Sequence, residues 1–260
     1  MDKRICCTPE NESLFDGYKL VFEDNFDYEG SPDRNLWTME VGNRWANNEA
    51  QAYTDRLENV KVENGALIIT ARAEEYNERQ YTSARINTFG HRSFKYGYFE
   101  AEACLPKATG TWPAIWFLPE SIRQGERWPL CGEIDLVEHV HRHKDDLFYS
   151  LHAQNHNHAN PNTVQYTRTF HCDGVCENFH KYGMLWTEEY IEYFLDGKSV
   201  CRYNKSDDED TSNESWPFDK EYFMILNVAV GGGFGGPVTD EELPSSMTVN
   251  YVRAWQKITK

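Results

Sequence analysis

The run Gly132-Glu133-Ile134-Asp135-Leu136-Val137-Glu138 sets three carboxylates among apolar neighbours. Burying a carboxylate costs several kcal/mol unless it is paired or put to use. Side chains alternate along a strand, so Glu133 and Asp135 share a face and Glu138 points away from it. One β-bulge at 136–137 restores the phase. The two glutamate α-carbons then stand roughly 13 Å apart along the strand. Side chains leaning inward bring the carboxyl groups to about 5 Å, a gap at which one carboxylate attacks an acetal carbon while the other gives its proton to the departing oxygen. Like-charge repulsion raises the pKa of the acid that must hold a proton, and hydrogen bonding keeps the nucleophile ionised. The bland alternative is an edge strand whose acids face water. The apolar residues between the acids and the Trp-rich segments nearby weigh against it.

A strand that aims carboxylates needs a rigid sheet around it. Short runs rich in β-branched and aromatic residues recur along the chain: 18–22, 66–72, 98–105, 114–118, 133–140, 147–152, 190–203, 223–230 and 247–255. In 98–105, Phe99, Ala101, Ala103 and Leu105 face one way and Tyr98, Glu100, Glu102 and Cys104 the other, which predicts a half-buried strand. Asp196-Gly197 predicts a two-residue hairpin turn, because both residues tolerate positive φ. Strands at this spacing, with no Pro-rich or Ser-rich linker, predict one all-β domain: a β-sandwich of jelly-roll type, two packed antiparallel sheets with a concave substrate cleft. Residues 1–15 read as a poorly ordered lead-in, 16–260 as the single domain, and 206–214 as an acidic surface loop.

Composition narrows the partner. At 260 residues and 40% hydrophobic, the chain can bury roughly 70% of its unfolded surface and needs no disulfide or metal to hold a core. The net charge of −16 would repel a phosphate backbone, which excludes nucleic acid, and it acts against anionic lipid. A neutral substrate is expected. Eight Trp, 15 Tyr and 14 Phe, several beside Asn, Glu or His, offer flat faces with polar neighbours, which suit sugar rings. No stretch is apolar for the 18 residues or so of a membrane span, and MDKRICCTPENE lacks the apolar core of a secretion signal. A polymeric substrate argues for an extracellular location, while the start as given leaves the cytoplasm open. The seven cysteines are irregularly spaced, which favours reduced thiols and leaves a Cys172–Cys176 disulfide open. Nothing demands a partner subunit, so a monomer is expected.

The acidic run resembles the signature of glycoside hydrolase family 16, in its bulged laminarinase-like branch. The resemblance extends to Val21-Phe22-Glu23-Asp24-Asn25-Phe26, Trp45-Ala46-Asn47-Asn48-Glu49, Ser83-Ala84-Arg85-Ile86, Gly110-Thr111-Trp112-Pro113-Ala114-Ile115-Trp116, Trp128-Pro129, Leu226-Asn227-Val228-Ala229-Val230-Gly231-Gly232 and Val249-Asn250-Tyr251-Val252-Arg253. It covers roughly residues 18–256 in the family's order. It implies an endo-acting hydrolase that cleaves β-1,3 bonds in laminarin-like or mixed-linkage glucan with retention of configuration. Glu133 then resembles the nucleophile, Glu138 the acid/base and Asp135 the neighbour that tunes Glu133. Trp112, Trp116 and Trp128 resemble sugar-contacting tryptophans, Asn48 and Arg85 residues that hold sugar hydroxyls, and His152 the histidine beside the acids. Trp116 alternates with Ile115 and Phe117, and the pattern leaves open which of them faces the core.

The resemblance implies no cofactor for catalysis and a structural calcium near Glu23, Gly65 and residue 250. Asn250 at that last place removes a charge and weakens the site. His139, His141 and His143 on one strand face, and the His171–Cys176 run, invite a zinc reading but lack paired ligand spacing. His139 and His141 also depart from the family's residues after the second glutamate. Two rivals remain: a non-catalytic β-glucan-binding protein, against which both glutamates count, and a member acting on another β-linked polysaccharide. Galactans with sulfate would need cationic subsites, and Val137 breaks the unbulged run of xyloglucan transferases.

Overall fold

The computed structural model describes residues 17–258, so the expected lead-in at 1–15 lies outside the described residues, as do Cys6 and Cys7. Strands are numbered in chain order. One sheet comprises β2 (Thr38–Met39), β7 (Arg85–Asn87), β9 (Thr111–Pro119), β10 (Glu133–His139), β11 (Asp146–His152), β12 (Tyr166–His171) and β16 (Tyr222–Val230). The other comprises β1 (Tyr18–Asp24), β3 (Gln51–Tyr53), β4 (Val60–Glu63), β5 (Ala66–Tyr76), β6 (Arg79–Ser83), β8 (Gly97–Cys104), β13 (His180–Trp186), β14 (Tyr190–Leu195), β15 (Lys198–Asn204) and β17 (Ser245–Lys257). The first runs β12-β11-β10-β9-β16-β7-β2 and the second β15-β14-β13-β8-β17-β5-β6-β3, with β1 beside β17 and β4 beside β5. Apart from the parallel β3–β6 pair, the strand pairings among the described residues are antiparallel. This is the two-sheet jelly roll that the sequence predicts.

The sheets face each other across one apolar layer. Phe99, Ala101 and Ala103 of β8 and Met184 and Trp186 of β13 meet Ile115 and Phe117 of β9 and Leu226 and Val228 of β16. The ring of Phe99 stands edge-on to Phe117 at 5.0 Å and to Phe94 at 5.3 Å. Removing such a ring would cost about 3–5 kcal/mol, because the dense interior collapses only partly around a void. The Asp196-Gly197 turn joins β14 to β15 with φ of 50° and 77°, and Leu195 pairs with Lys198 across it. Residues β9, β10 and β16 also turn a second face outward, and that face floors a cleft. On that face Leu118, Phe223 and Ile225 pack with Phe89 and Ile122, and Leu118 and Ile122 line the cleft.

Candidate active site

The bulge predicted in β10 is present. Opposite β11, Asp135 pairs with Ser150 and Glu138 with Phe148, so two residues of β10 lie against one of its neighbour. Opposite β9 the register slips between Asp135 and Val137. Leu136 and Val137 are both buried in the core between the sheets. Glu138 is thereby turned onto the face that carries Glu133 and Asp135, and all three acids line one cleft of about 370 Å³. Gly132 precedes the run at φ +86°, and an added Cβ there would stand 2.2 Å from the Tyr222 hydroxyl, so only glycine lets the chain enter β10 along this path.

The acids sit in a poor solvent for charge. Glu138 has its pKa pushed up to about 8, first by burial and then by the Asp135 carboxylate; His152 and the Trp112 hydrogen bond pull the other way. Trp112 Nε1 donates to Glu138 Oε1 at 2.9 Å. Asp135 is driven upward by burial. Glu133 is also pushed well above the usual carboxylate range, by burial, then by Asp135, with His152 opposing and Glu138 adding to the rise. Three like charges so close do not all ionise together near neutral pH. The resemblance makes Asp135 the neighbour that tunes Glu133, and the structure also sets Asp135 against His152. His152 Nε2 lies 3.1 Å from Asp135 Oδ2 and 3.6 Å from Glu133 Oε1, so the imidazole, from β11, is the group that can offset charge on both. The expected hydrogen bonding that would hold Glu133 ionised is not what the site supplies: the net push on Glu133 is upward, and His152 and Arg85 are the groups that oppose it.

The cleft wall resolves the tryptophans. Ile115 and Phe117 are in the core, so Trp116 faces the cleft. Its Nε1 donates to Asn227 Oδ1 at 2.7 Å, Asn227 Nδ2 donates to the Tyr53 hydroxyl at 3.0 Å, and Tyr53 donates on to Glu49 at 3.3 Å. Arg85 lies over the Trp116 ring at 4.8 Å and over Trp45 at 5.4 Å, and is ion-paired with Glu40 at 2.7 Å. Arg123 also pairs with Glu40. Trp128 contributes to the wall beside His152 and His158, with ring separations of 5.8 Å and 5.2 Å. The floor is thus a set of flat rings fixed by polar contacts, with the acids along one side.

Residues 46–253 match the model of glycosyl hydrolases family 16. The chain belongs to glycosyl hydrolase family 16. It is 41% identical over 246 residues to a beta-glucanase of Rhodothermus marinus, a match that spans 92% of this chain and 85% of that protein. The solved laminarinase of Rhodothermus marinus superposes with a TM-score of 0.87 at 39% identity, covering 93% of this chain and 98% of that one. SCLam, a non-specific endo-beta-1,3(4)-glucanase, superposes with a TM-score of 0.83 at 35% identity, covering 93% and 92%.

Within this family-16 fold most of the expected site converges. Glu133, Asp135, Glu138, Arg85, Trp112, Trp116 and Trp128 line the cleft, and His152 reaches two of the acids from the neighbouring strand β11. Asn48 is exposed in the adjacent turn, whereas its neighbours Asn47 and Glu49 form the wall. Trp45, Glu40, Asn227 and His158 were not singled out as site residues. Asn227 lies in a strand that reads as wholly apolar but for that one amide, which was the available signal; His158 sits in a loop without pattern.

Glu23, Gly65 and Asn250 lie toward one stretch of β17, since Glu23 pairs with Arg253 and Leu67 with Val249. The side chains of Glu23 and Asn250 do not fit a hard cation. Arg253 Nε donates to Glu23 Oε1 at 3.0 Å, and Asn250 Nδ2 donates to Glu102 at 2.8 Å, so a guanidinium already neutralises the one acid and the amide is turned toward another. The expected strand face for His139, His141 and His143 is also corrected. β10 ends at His139, and 141–143 form one turn of 3-10 helix. Cys172 and Cys176 are both free thiols, so no bridge joins them.

Proposed function

We propose that this protein is a retaining endo-β-1,3-glucanase, with laminarin-like glucan as substrate. The observation that carries the reading is the pairing on one bulged strand of Glu138, which keeps a proton to about pH 8, with a second glutamate, Glu133, on the same cleft wall. Glucose rings stack on Trp112, Trp116 and Trp128, whose faces offer dispersion contact and whose surroundings offer hydrogen bonds to hydroxyls. Glu133 attacks the anomeric carbon from one side. The bond to the leaving oxygen breaks as Glu138 transfers its proton there, and a covalent glycosyl ester forms on Glu133. Glu138, now a carboxylate accepting from Trp112, takes a proton from water. The resulting hydroxide attacks the same carbon and frees Glu133. His152 stands beside both carboxyls, 3.6 Å from Glu133 and 3.1 Å from Asp135, and fixes their places in the cleft.

The mixed-linkage glucan reading shares this site and is supported by the likeness to SCLam, a non-specific endo-beta-1,3(4)-glucanase. The deciding experiment is release of reducing ends from laminarin, lichenan and barley glucan, with proton NMR of the first product. Early appearance of the β-anomer is expected. The α-anomer first would overturn retention, and no release from any glucan would leave the binding-protein rival in possession of the cleft.

A further inference from the structure

We infer that His139, His141 and Cys176 form a binding site for one thiophilic divalent ion of the zinc class, on the side of β10 opposite the acids. One ligand atom from each lies within 4.8 Å of the other two, the set being formed by two imidazole nitrogens and the Cys176 sulfur. The His139 Nε2 to Cys176 Sγ separation is 3.5 Å. A tetrahedral ion with Zn–S and Zn–N bonds of about 2.3 and 2.05 Å requires an edge of about 3.6 Å between those atoms. The pair already stands at ligand spacing, and His141 has little more than an ångström to close.

The tautomer is set for the task. His139 Nδ1 is 2.9 Å from the Asp146 carbonyl, to which only a protonated nitrogen can donate, so the lone pair is left on Nε2, the atom that faces the sulfur. His139 is wholly buried, which prevents the ring from swinging away. His141 Nδ1 is shut off from solvent and has no hydrogen-bond partner, a cost that a metal bond would remove. Cys176 is placed by its loop: Leu105 N donates to the Val175 carbonyl at 3.1 Å, and the thiol donates to the Pro106 carbonyl at 3.3 Å, a bond given up when the thiol proton leaves.

The missing sequence spacing is thereby explained. His139 closes β10, the 3-10 turn at 141–143 folds His141 back, and the loop between β12 and β13 supplies Cys176, so the ligand set is assembled by tertiary structure rather than by a short motif. On binding, the thiol proton passes to solvent, the thiolate and two neutral imidazoles donate to the ion, and the fourth tetrahedral position is left for water. Cys172 belongs to a different contact, 3.9 Å from the His180 ring nitrogens, and is not a ligand.

Cobalt(II) titration of the purified chain under reducing conditions tests the assignment, because a thiolate–cobalt bond adds a near-ultraviolet charge-transfer band and tetrahedral cobalt has intense visible bands. A band saturating at one ion per chain and displaced by zinc is expected. Cys176→Ser should abolish the charge-transfer band, and His139→Gln should weaken binding about 10- to 100-fold or more, as for lost or misdirected ligands. Cys172→Ser and Cys104→Ser should leave the band in place. Zinc should raise the thermal midpoint of the native chain and not that of Cys176→Ser, whose circular dichroism serves as the folding control. A folded native chain that gives no charge-transfer band, or a band that survives Cys176→Ser, overturns the site.

Discussion

Replacing Trp112 with Phe isolates one hydrogen bond to the acid/base. The indole N–H can only donate, and it donates to Glu138 Oε1 at 2.9 Å. A carboxylate accepts more strongly than a neutral acid, so this bond favours the ionised form and holds the pKa of Glu138 below what burial alone would impose. Hydrogen bonds to charged groups contribute about 1.5–3 kcal/mol, and one pKa unit corresponds to about 1.36 kcal/mol. Part of the bond persists to the neutral acid, so the expected shift is about one unit upward. The sign follows from the role. Acid catalysis needs protonated Glu138, so kcat/KM falls as pH rises through about 8 in the native enzyme. In Trp112→Phe that alkaline limb should move to about pH 9, with a lower plateau because a weaker acid transfers its proton less readily. Phe keeps an aromatic surface where Trp112 stands edge-on to Phe234 at 5.4 Å. Initial rates on laminarin from about pH 5 to 10 give the profile. A limb that stays put or moves to lower pH refutes the reasoning, and a change confined to KM would reduce Trp112 to a sugar platform.

Glu138→Gln should be inactive yet more stable than the native chain. An acid raised from 4.5 to about 8 costs the folded state stability above the unfolded value, the cost growing until pH passes about 8. At pH 7 that cost is on the order of 3 kcal/mol, so thermal midpoints should differ by roughly 5–10 °C there and coincide near pH 4; equal midpoints at pH 8 would refute it. Asp135→Asn should lower kcat about 100-fold with little change in KM, because Asp135 meets His152 rather than sugar; near-native kcat with an unchanged pH profile would remove it from the site. Gly132→Ala should cost about 2 kcal/mol or more and lower kcat, since positive φ and the Tyr222 and Pro217 contacts leave no room for a methyl; a native-like melt would show that the entry to β10 relaxes freely.

Strands with alternating or β-branched runs, such as 98–105 and 247–255, were legible because burial on one face imprints a period of two. The short strands β2, β3 and β7 were not, since two or three residues carry no period and their pairing comes from neighbours distant in sequence. The three acids were legible for the same reason as the core: charge in an apolar run conflicts with its surroundings. His152 was readable only through the family resemblance, which puts it beside the acids, and its ring stands 3.1 Å from Asp135 and 3.6 Å from Glu133. The cross-strand pairs Glu133–His152 and Asp135–Ser150 bring the imidazole up to both acids, a meeting that no spacing along β10 encodes. Glu40, Trp45 and Asn227 enter the wall from three separate segments, and no local spacing encodes that meeting.

The catalytic register is set by apolar residues rather than by the acids. Glu133, Asp135 and Glu138 repel one another and favour water, so nothing in their own energetics gathers them on a dry wall. Leu136 and Val137, both almost wholly buried, supply the opposing free energy, about 1.5–3 kcal/mol each for a fully buried aliphatic side chain. Without the bulge, alternation would leave one of them on the cleft face and turn Glu138 toward the core, losing that burial and adding the desolvation of an unpaired carboxylate. Both terms favour the bulged register. The same register shift determines that His139, the next residue, turns inward against Cys176, so the geometry of the acid/base and that of the proposed ion site follow from one packing choice at 136–137.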